Sequence, residues 1–185
     1  MVDLPPRRPV LGADWVPGPD GLRHRRAARV ILLDPDGRVL LVRGHDVDQP
    51  GRSWWFTVGG GIDPGESACA AAVREVREET GIVLAEADLE GPVVRRSALF
   101  DFFAEHCRQD EEIFVARVSR ESAGALSRDG WTAVEREVVD DVRWWSATDL
   151  ETVDIEVFPA ELPDLVRSLG AGWDGVVRHL GTGGG

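Results

Sequence analysis

Apolar residues follow two different periods along this chain, and the change from one to the other marks its elements. Ala28-Arg29-Val30-Ile31-Leu32-Leu33 is nearly continuous apolar sequence, Asp34-Pro35-Asp36-Gly37 interrupts it, and Arg38-Val39-Leu40-Leu41-Val42-Arg43 resumes it. Two such runs around a proline- and glycine-containing tetrad predict a strand, a tight turn and a strand, that is, a hairpin. A polar loop leads to a further strand, Trp54-Trp55-Phe56-Thr57-Val58, which ends at Gly59-Gly60-Gly61. Three consecutive glycines mark backbone that takes unusual dihedrals or approaches a ligand closely. From Ser67 to Thr80 the period lengthens to that of a helix. Cys69, Val73, Val76 and Thr80 form the expected inner face, and Gly81 is the expected stop. Strands are predicted at 93–96, 99–104 and 112–118, then a loop through Trp131 and a strand near 142–145. Ser146 to Leu150 reads as a helix start and Pro159 to Leu169 as a second full helix. Residues 1–25 read as an irregular N-terminal arm, 26–170 as the domain and 171–185 as a flexible tail. Several strands with one central and one late helix predict an α/β (α+β) fold, a mixed sheet packed against helices.

Composition narrows the chemistry. The 185 residues are 43% hydrophobic and 29% charged, as expected of one soluble domain. A chain of this size can bury about 70% of its unfolded surface without a disulfide or structural metal. Cys69 and Cys107 have no second Cys or His at a metal-binding spacing, so they read as free thiols in a reducing compartment, and zinc is not expected. No run approaches the roughly 20 apolar residues of a membrane span, and the N-terminus is proline-rich rather than basic and then apolar. The expectation is a cytoplasmic protein with no membrane partner. A formal net charge of -12 argues against a stable nucleic-acid partner held by phosphate contacts. An acidic protein that acts on phosphates needs a metal ion between its carboxylates and the substrate. All 21 basic residues are arginine, which excludes a P-loop lysine and any lysine Schiff base.

The candidate chemistry lies on the central helix. At about 100° per residue, Glu75, Glu78 and Glu79 share a sector about 100° wide, on a side drawn away from Val73 and Val76. Like charges so placed raise one another's pKa and weaken the helix unless something positive sits among them. A hard cation such as Mg2+ is a natural neutraliser. A glutamate-rich helix face is by itself more often solvated surface. The context changes that reading, because the helix is entered through the glycine run and the loop Ile62-Asp63-Pro64-Gly65-Glu66.

Read as G-x5-E-x7-R-E-U-x-E-E-x-G-U, with U aliphatic, the segment supplies Gly60, Glu66, Arg74, Glu75, Val76, Glu78, Glu79, Gly81 and Ile82 without a mismatch. It resembles the Nudix box, the signature of the Nudix hydrolases, and the flanking strands extend the resemblance from Arg26 to about Leu169. The resemblance implies an α/β/α sandwich around a mixed sheet and Mg2+-dependent hydrolysis, with Mn2+ an alternative, of a nucleoside diphosphate linked to another moiety. Carried onto this chain, it makes Glu78 and Glu79 the principal metal ligands, Glu75 a further ligand or orienting group, and the Gly60 carbonyl the completion of the site. Glu66 and Arg74 become a structural pair, with Arg74 pointing away from the metal face. Val58 departs from the pattern, since many relatives carry proline there.

In such relatives the general base is often a glutamate on a later loop. Glu135 is the favoured candidate here, with Glu137, Glu111 and Glu112 as alternatives. Arg43 is a candidate for a substrate phosphate, and Phe56 and Gly61 for other substrate contacts, while Trp54, Phe100 and Phe102 are further aromatics available to stack on a base. Trp144 and Trp145, adjacent on a strand, must point to opposite faces. The absence of tyrosine and the pair Ser97-Ala98 weaken the dinucleoside polyphosphate and ADP-ribose subclasses. A nucleotide-type small-molecule substrate remains, most plainly a nucleoside triphosphate, including an oxidised one. The alternative is a Nudix-fold sensor that binds a nucleotide without turnover. The arm leaves a homodimer open.

Overall fold

The computed structural model describes residues 11–12, 14–46, 49, 51–102 and 105–181, with the side chains of Phe102, Ala133, Val134 and Glu135 set aside. In chain order the elements are β1 (Val16–Pro17), β2 (Arg23–Leu33), β3 (Val39–His45), β4 (Ser53–Gly61), α1 (Ala68–Thr80), β5 (Glu90–Phe102), β6 (Glu105–Arg117), α2 (Arg120–Gly124), α3 (Ala133–Val138), β7 (Val139–Trp145), α4 (Ala147–Leu150), β8 (Glu156–Phe158), α5 (Leu162–Gly170) and β9 (Arg178–Leu180). The strands form one mixed sheet in the order β7-β3-β4-β2-β6-β5-β9, with β1 added to β2 and β8 to β4. The β2–β6, β4–β8 and β5–β9 pairs are parallel, and the others are antiparallel.

Two apolar layers flank the sheet, as the alternation of a strand buried on both faces requires. Ile31, Leu33, Val39, Leu41, Ile113 and Val115 face α4 and α5, which contribute Leu150, Leu162, Leu165, Val166 and Leu169. Val30, Leu32, Leu40, Val42, Val58 and Phe114 face α1, which contributes Ala71, Ala72 and Val76. This is the α/β/α sandwich expected from the sequence. Trp144 and Trp145 do point to opposite layers. Trp145 meets Trp55 edge-on at 5.1 Å between ring centroids, and Trp144 donates its indole N–H to the Ala123 carbonyl at 3.1 Å.

The hairpin expectation needs correction. The turn is present, closed by the Asp34 N–H to the Arg38 carbonyl at 2.9 Å, but β2 and β3 pair only at Leu33 and Val39. Beyond that rung they diverge and β4 lies between them, pairing with β2 from Ala27 to Val30 and with β3 from Leu41 to His45. Local turn chemistry set the reversal, while the longer contacts of β4 decided the pairing. Order also begins earlier and ends later than expected. β1 pairs Val16 with His24 and Pro17 with Arg23, so the arm is not irregular throughout and β2 starts at Arg23. At the other end β9 pairs with Val94 to Arg96, so part of the expected tail belongs to the sheet. The strands expected at 93–96 and 99–104 are one, β5, with residues 103 and 104 outside the described residues, and the loop through Trp131 contains α2. Cys107, expected near a turn, is buried in β6, and both cysteines are free. No helix among the described residues is long and apolar enough to cross a membrane.

Asp34 is buried in the turn, where its Oδ1 accepts the N–H groups of Asp36 and Arg38 at 2.9 Å each and its Oδ2 takes the Arg38 guanidinium. Asp34→Ala strips two main-chain donors of their acceptor and should cost about 1–3 kcal/mol in urea unfolding. A change within a few tenths would show that the turn holds without it.

Candidate active site

The site is built where α1 crosses the end of β4. Ser67 caps the helix by accepting the Ala70 N–H at 3.0 Å, and Gly81, at φ 77°, ends it by returning its N–H to the Arg77 carbonyl. Between these ends the helix packs unusually close to the strand. The strand is equally tight against β2, where a Cβ on Gly59, itself at φ 137°, would strike the Ala28 carbonyl oxygen and lie 2.6 Å from the Arg29 Cα. A Cβ on Gly60 would lie 2.7 Å from the Glu75 carboxylate. Side-chain-free backbone therefore lets the acidic side chains of α1 lie directly on the strand. Glu79 is buried and its Oε2 accepts the Gly59 N–H at 2.8 Å, Glu75 is buried beside Gly60, and Glu78 is half-buried.

Two expectations about this helix are corrected. The carboxylate sector does not lie apart from the apolar face, because Ala72, Val76, Glu75 and Glu79 are buried together while Cys69 and Val73 are only half-buried. Arg74 does not point away either. It grips Glu66 through two bonds of 2.9 Å, as expected of the pair, and its Nη1 also reaches Glu75 at 2.7 Å and Glu78 at 3.1 Å. Its Nη2 donates to the Gly61 carbonyl at 2.9 Å. These contacts, the Glu66 hydrogen bond first and Glu75 next, raise the guanidinium pKa, and Arg74 in turn holds the Glu66 carboxyl below the usual range. Arg74 is thus a resident positive charge within the acidic cluster.

A second charged network lies on the other side of β4, and the box contains none of it. Arg29, on β2 opposite Gly59, donates Nε to Glu111 Oε1 at 2.8 Å and Nη1 to the carbonyls of Thr57 and Gly59 at 2.9 and 3.2 Å. Arg96 stands 3.7 Å from the other Glu111 oxygen, and Gln109 donates to Glu111 Oε1. Burial alone would push the Glu111 carboxyl up; Arg29 and Arg96 and the hydrogen bonds outweigh it and hold the group below its ordinary value of 4.5. Arg25 accompanies them. It bonds to Gln109, pairs with Asp14 at 3.0 Å and lies 4.4 Å over the Trp15 ring, while burial and then Arg29 lower its pKa.

Both networks open onto one cleft of about 580 Å3. Of the residues picked out in the sequence, Gly60, Gly61, Glu75, Glu78, Glu79 and Phe56 line it, as do Trp54 and Phe100. Arg43 does not. It shares a face with Leu41 rather than Val42, and its Nη2 lies 3.4 Å from Ser53 Oγ. Glu112 faces a separate cavity of about 420 Å3, paired with Arg26 and Arg95. Glu135 lies on α3, and its side chain, like that of Phe102, is outside the described residues. Sequence reasoning missed Arg25, Arg29, Gln109, Asp14 and Trp15. One signal was legible, an arginine at position 29 inside a strand otherwise buried from Ala27 to Leu33.

Among the described residues no three His, Cys, Asp or Glu side chains close on a single point in ligand geometry. Taken as the donors the resemblance implies, Glu75, Glu78, Glu79 and the Gly60 carbonyl would be all oxygen, which suits a hard cation such as Mg2+ or Mn2+.

Residues 23–165 match the NUDIX domain, and the chain belongs to the Nudix hydrolase family. An RNA pyrophosphohydrolase from Caulobacter vibrioides is 45% identical over 67 residues, which are 36% of this chain and 38% of that one. A Bacillus subtilis protein provisionally named an 8-oxo-dGTP diphosphatase is 47% identical over 58 residues, 31% of this chain and 36% of its own. The chain thus spans well under half the length of the curated relatives it matches. The structure of a MutT protein from Methanosarcina mazei superposes with a TM-score of 0.54 at 19% identity, covering 80% of this chain and 94% of that one, and so shares the fold.

Because the folded Glu111 pKa is depressed, its contribution to stability is complete above 4.5 and is lost as pH falls through the lower folded value. Glu111→Gln should therefore flatten the acid limb of stability against pH below about 4.5, measured by urea unfolding across a pH series. An unchanged slope there would show that the group is not held ionised by Arg29 and Arg96.

Proposed function

We propose that the protein is a divalent-metal-dependent pyrophosphohydrolase that cuts a phosphoanhydride bond in a nucleoside triphosphate, an oxidised one included, or in a related nucleoside diphosphate derivative. The observation that carries this is the placement of Glu75 and Glu79 of α1 against glycine backbone, with Glu78 beside them, at one side of a cleft whose other walls include Trp54, Phe56 and Phe100. Glutamates and aromatic rings in one cavity match a substrate with a polyphosphate at one end and a base at the other. The relatives named RNA pyrophosphohydrolase and 8-oxo-dGTP diphosphatase support the same bond type.

Glu78, Glu79, Glu75 and the Gly60 carbonyl would hold Mg2+ or Mn2+, which supplies polarisation of the phosphoanhydride and neutralisation of its charge. The remaining work falls to the chain itself. The Gly59 N–H fixes one oxygen of Glu79, and Arg74 steadies Glu75 and Glu78. Phe56, with Arg29 5.3 Å above its ring, offers a face to a base. Gly61 lines the same cleft as a candidate substrate contact, with the Asp14 carboxylate lying against it. Water attacks phosphorus, the bridging oxygen leaves with the bonding electrons, and a carboxylate accepts the proton of the water. Glu111, held ionised between two arginines, is a poor acceptor. Glu135 on α3 is the favoured one, and its pH-rate profile after Glu135→Gln, compared with that of Glu112→Gln, tests the assignment.

Glu78→Gln and Glu79→Gln should each lower kcat by about 10^2 to 10^4 while the protein stays folded by circular dichroism. The deciding assay is a Mg2+-dependent panel of nucleoside triphosphates, 8-oxo-dGTP, dinucleoside tetraphosphates and 5′-triphosphorylated RNA, read by release of phosphate or diphosphate. Turnover of a mononucleotide is the expected result. Turnover of RNA alone would replace the substrate class, and binding without turnover would identify a sensor.

A further inference from the structure

From the contacts across β4 we infer that Arg29, held by Glu111, is a positioning residue that orients the Glu79 carboxylate through the main chain of β4. The inference rests on the reading of Glu79 given above. In alternating strand geometry the Cβ directions of Gly59 and Gly60 are opposed, and they point at Arg29 and at Glu75 respectively. Arg29 therefore emerges on the face of the sheet away from the helix, the face of Ile31 and Leu33. It acts on the peptide between Val58 and Gly59. One Nη1 holds the Thr57 and Gly59 carbonyls, which belong to the peptide groups on either side of it, and the Gly59 N–H of the peptide so fixed holds Glu79 Oε2 at 2.8 Å.

The choice of residue types fits this task. Lysine brings all its donors on one nitrogen, whereas the planar guanidinium serves the carboxylate from Nε and the two carbonyls from Nη1. A buried ion pair adds little stability over apolar residues of the same volume, so its distinctive product is direction. Glu111 gives the fork its angle, with Arg29 Nε bonded at 2.8 Å and both side chains nearly solvent-free, at 5% and 12% exposure. Gly59 matters for the same reason, since any side chain there would press on the Arg29 Cα and Cγ.

The test is Mn2+ affinity of the whole chain without substrate, followed by electron paramagnetic resonance, in Arg29→Met, Arg29→Lys, Glu111→Gln, Glu79→Gln and the α5 core variant Leu165→Ala. Arg29→Met should bind Mn2+ about 10- to 100-fold more weakly, the effect typical of removing a partner that orients a metal ligand, and should lower kcat more than it changes KM. Arg29→Lys should fail to restore affinity, and Glu111→Gln, whose Oε1 can still accept from Arg29, should lose several-fold. Leu165→Ala should melt earlier and bind as the parent does; equal weakening in it and in Arg29→Met would overturn the inference by showing general loosening. Parent-like affinity in Arg29→Met, with affinity lost in Glu79→Gln, overturns the relay and leaves the functional reading standing. Parent-like affinity in Glu79→Gln overturns the metal role of Glu79 and the relay with it. If Arg29→Met does not fold, Glu111→Gln carries the test, and undiminished affinity there overturns the inference.

Discussion

The molecule is organised around one close approach, that of α1 to the glycine end of β4. A helix and a strand normally keep a layer of side chains between them. Here Gly60 removes the strand's share of that layer, so the Glu75 carboxylate lies against main chain and Glu79 Oε2 meets the Gly59 N–H instead of carbon. The contact requires both sides to be rigid. Ser67 and Gly81 set the helix ends, Ala72 and Val76 seat it in the apolar layer, and β2 and β3 hold β4 from both edges.

Electrostatics follow from that contact. Burying carboxylates is costly unless each finds partners, and this lysine-free acidic chain meets the requirement with arginine and with main-chain N–H groups. Arg74 serves the helix side of the strand, and Arg29, Arg96 and Arg25 serve the other. The cluster of like charges seen in the sequence seemed to demand a dication; the folded chain supplies a guanidinium among the carboxylates already. A metal ion would then add to a partly compensated site rather than make an intolerable one tolerable.

The fold and the site contribute different things. Sandwiches of this architecture can host many reactions, so membership of the family speaks for the layers and the box, while the cleft walls speak for the substrate. Those walls come from distant stretches: Trp15 from the arm, Trp54 and Phe56 from β4, Phe100 from β5 and Phe158 from β8. Gly12, Asp14 and Trp15 of the N-terminal segment are therefore part of the cleft. Asp14 pairs with Arg25, Trp15 packs edge-on against Phe100, and β1 ties the segment to the sheet.

Local rules were enough to read much of this protein. Strand runs, the Asp-Pro-Asp-Gly turn, the capped helix from Ser67 to Gly81 and the nine-position box all depend on residues close in sequence, whose spacing determines their dihedrals and faces. The α/β/α layering followed from the same periodicity together with the resemblance that the box carried. What the sequence could not determine was every contact between residues far apart. β4 came to lie between β2 and β3 because pairing energy is gained across the whole sheet and not at one turn. Arg74 turned inward because Gly61 and Glu66 offered it acceptors there. Arg43 fell outside the cleft, and Arg29 fell on the face of the sheet away from the helix, because strand register decides the face on which a side chain emerges. Register is a property of neighbours, and those neighbours exist only once the sheet has assembled.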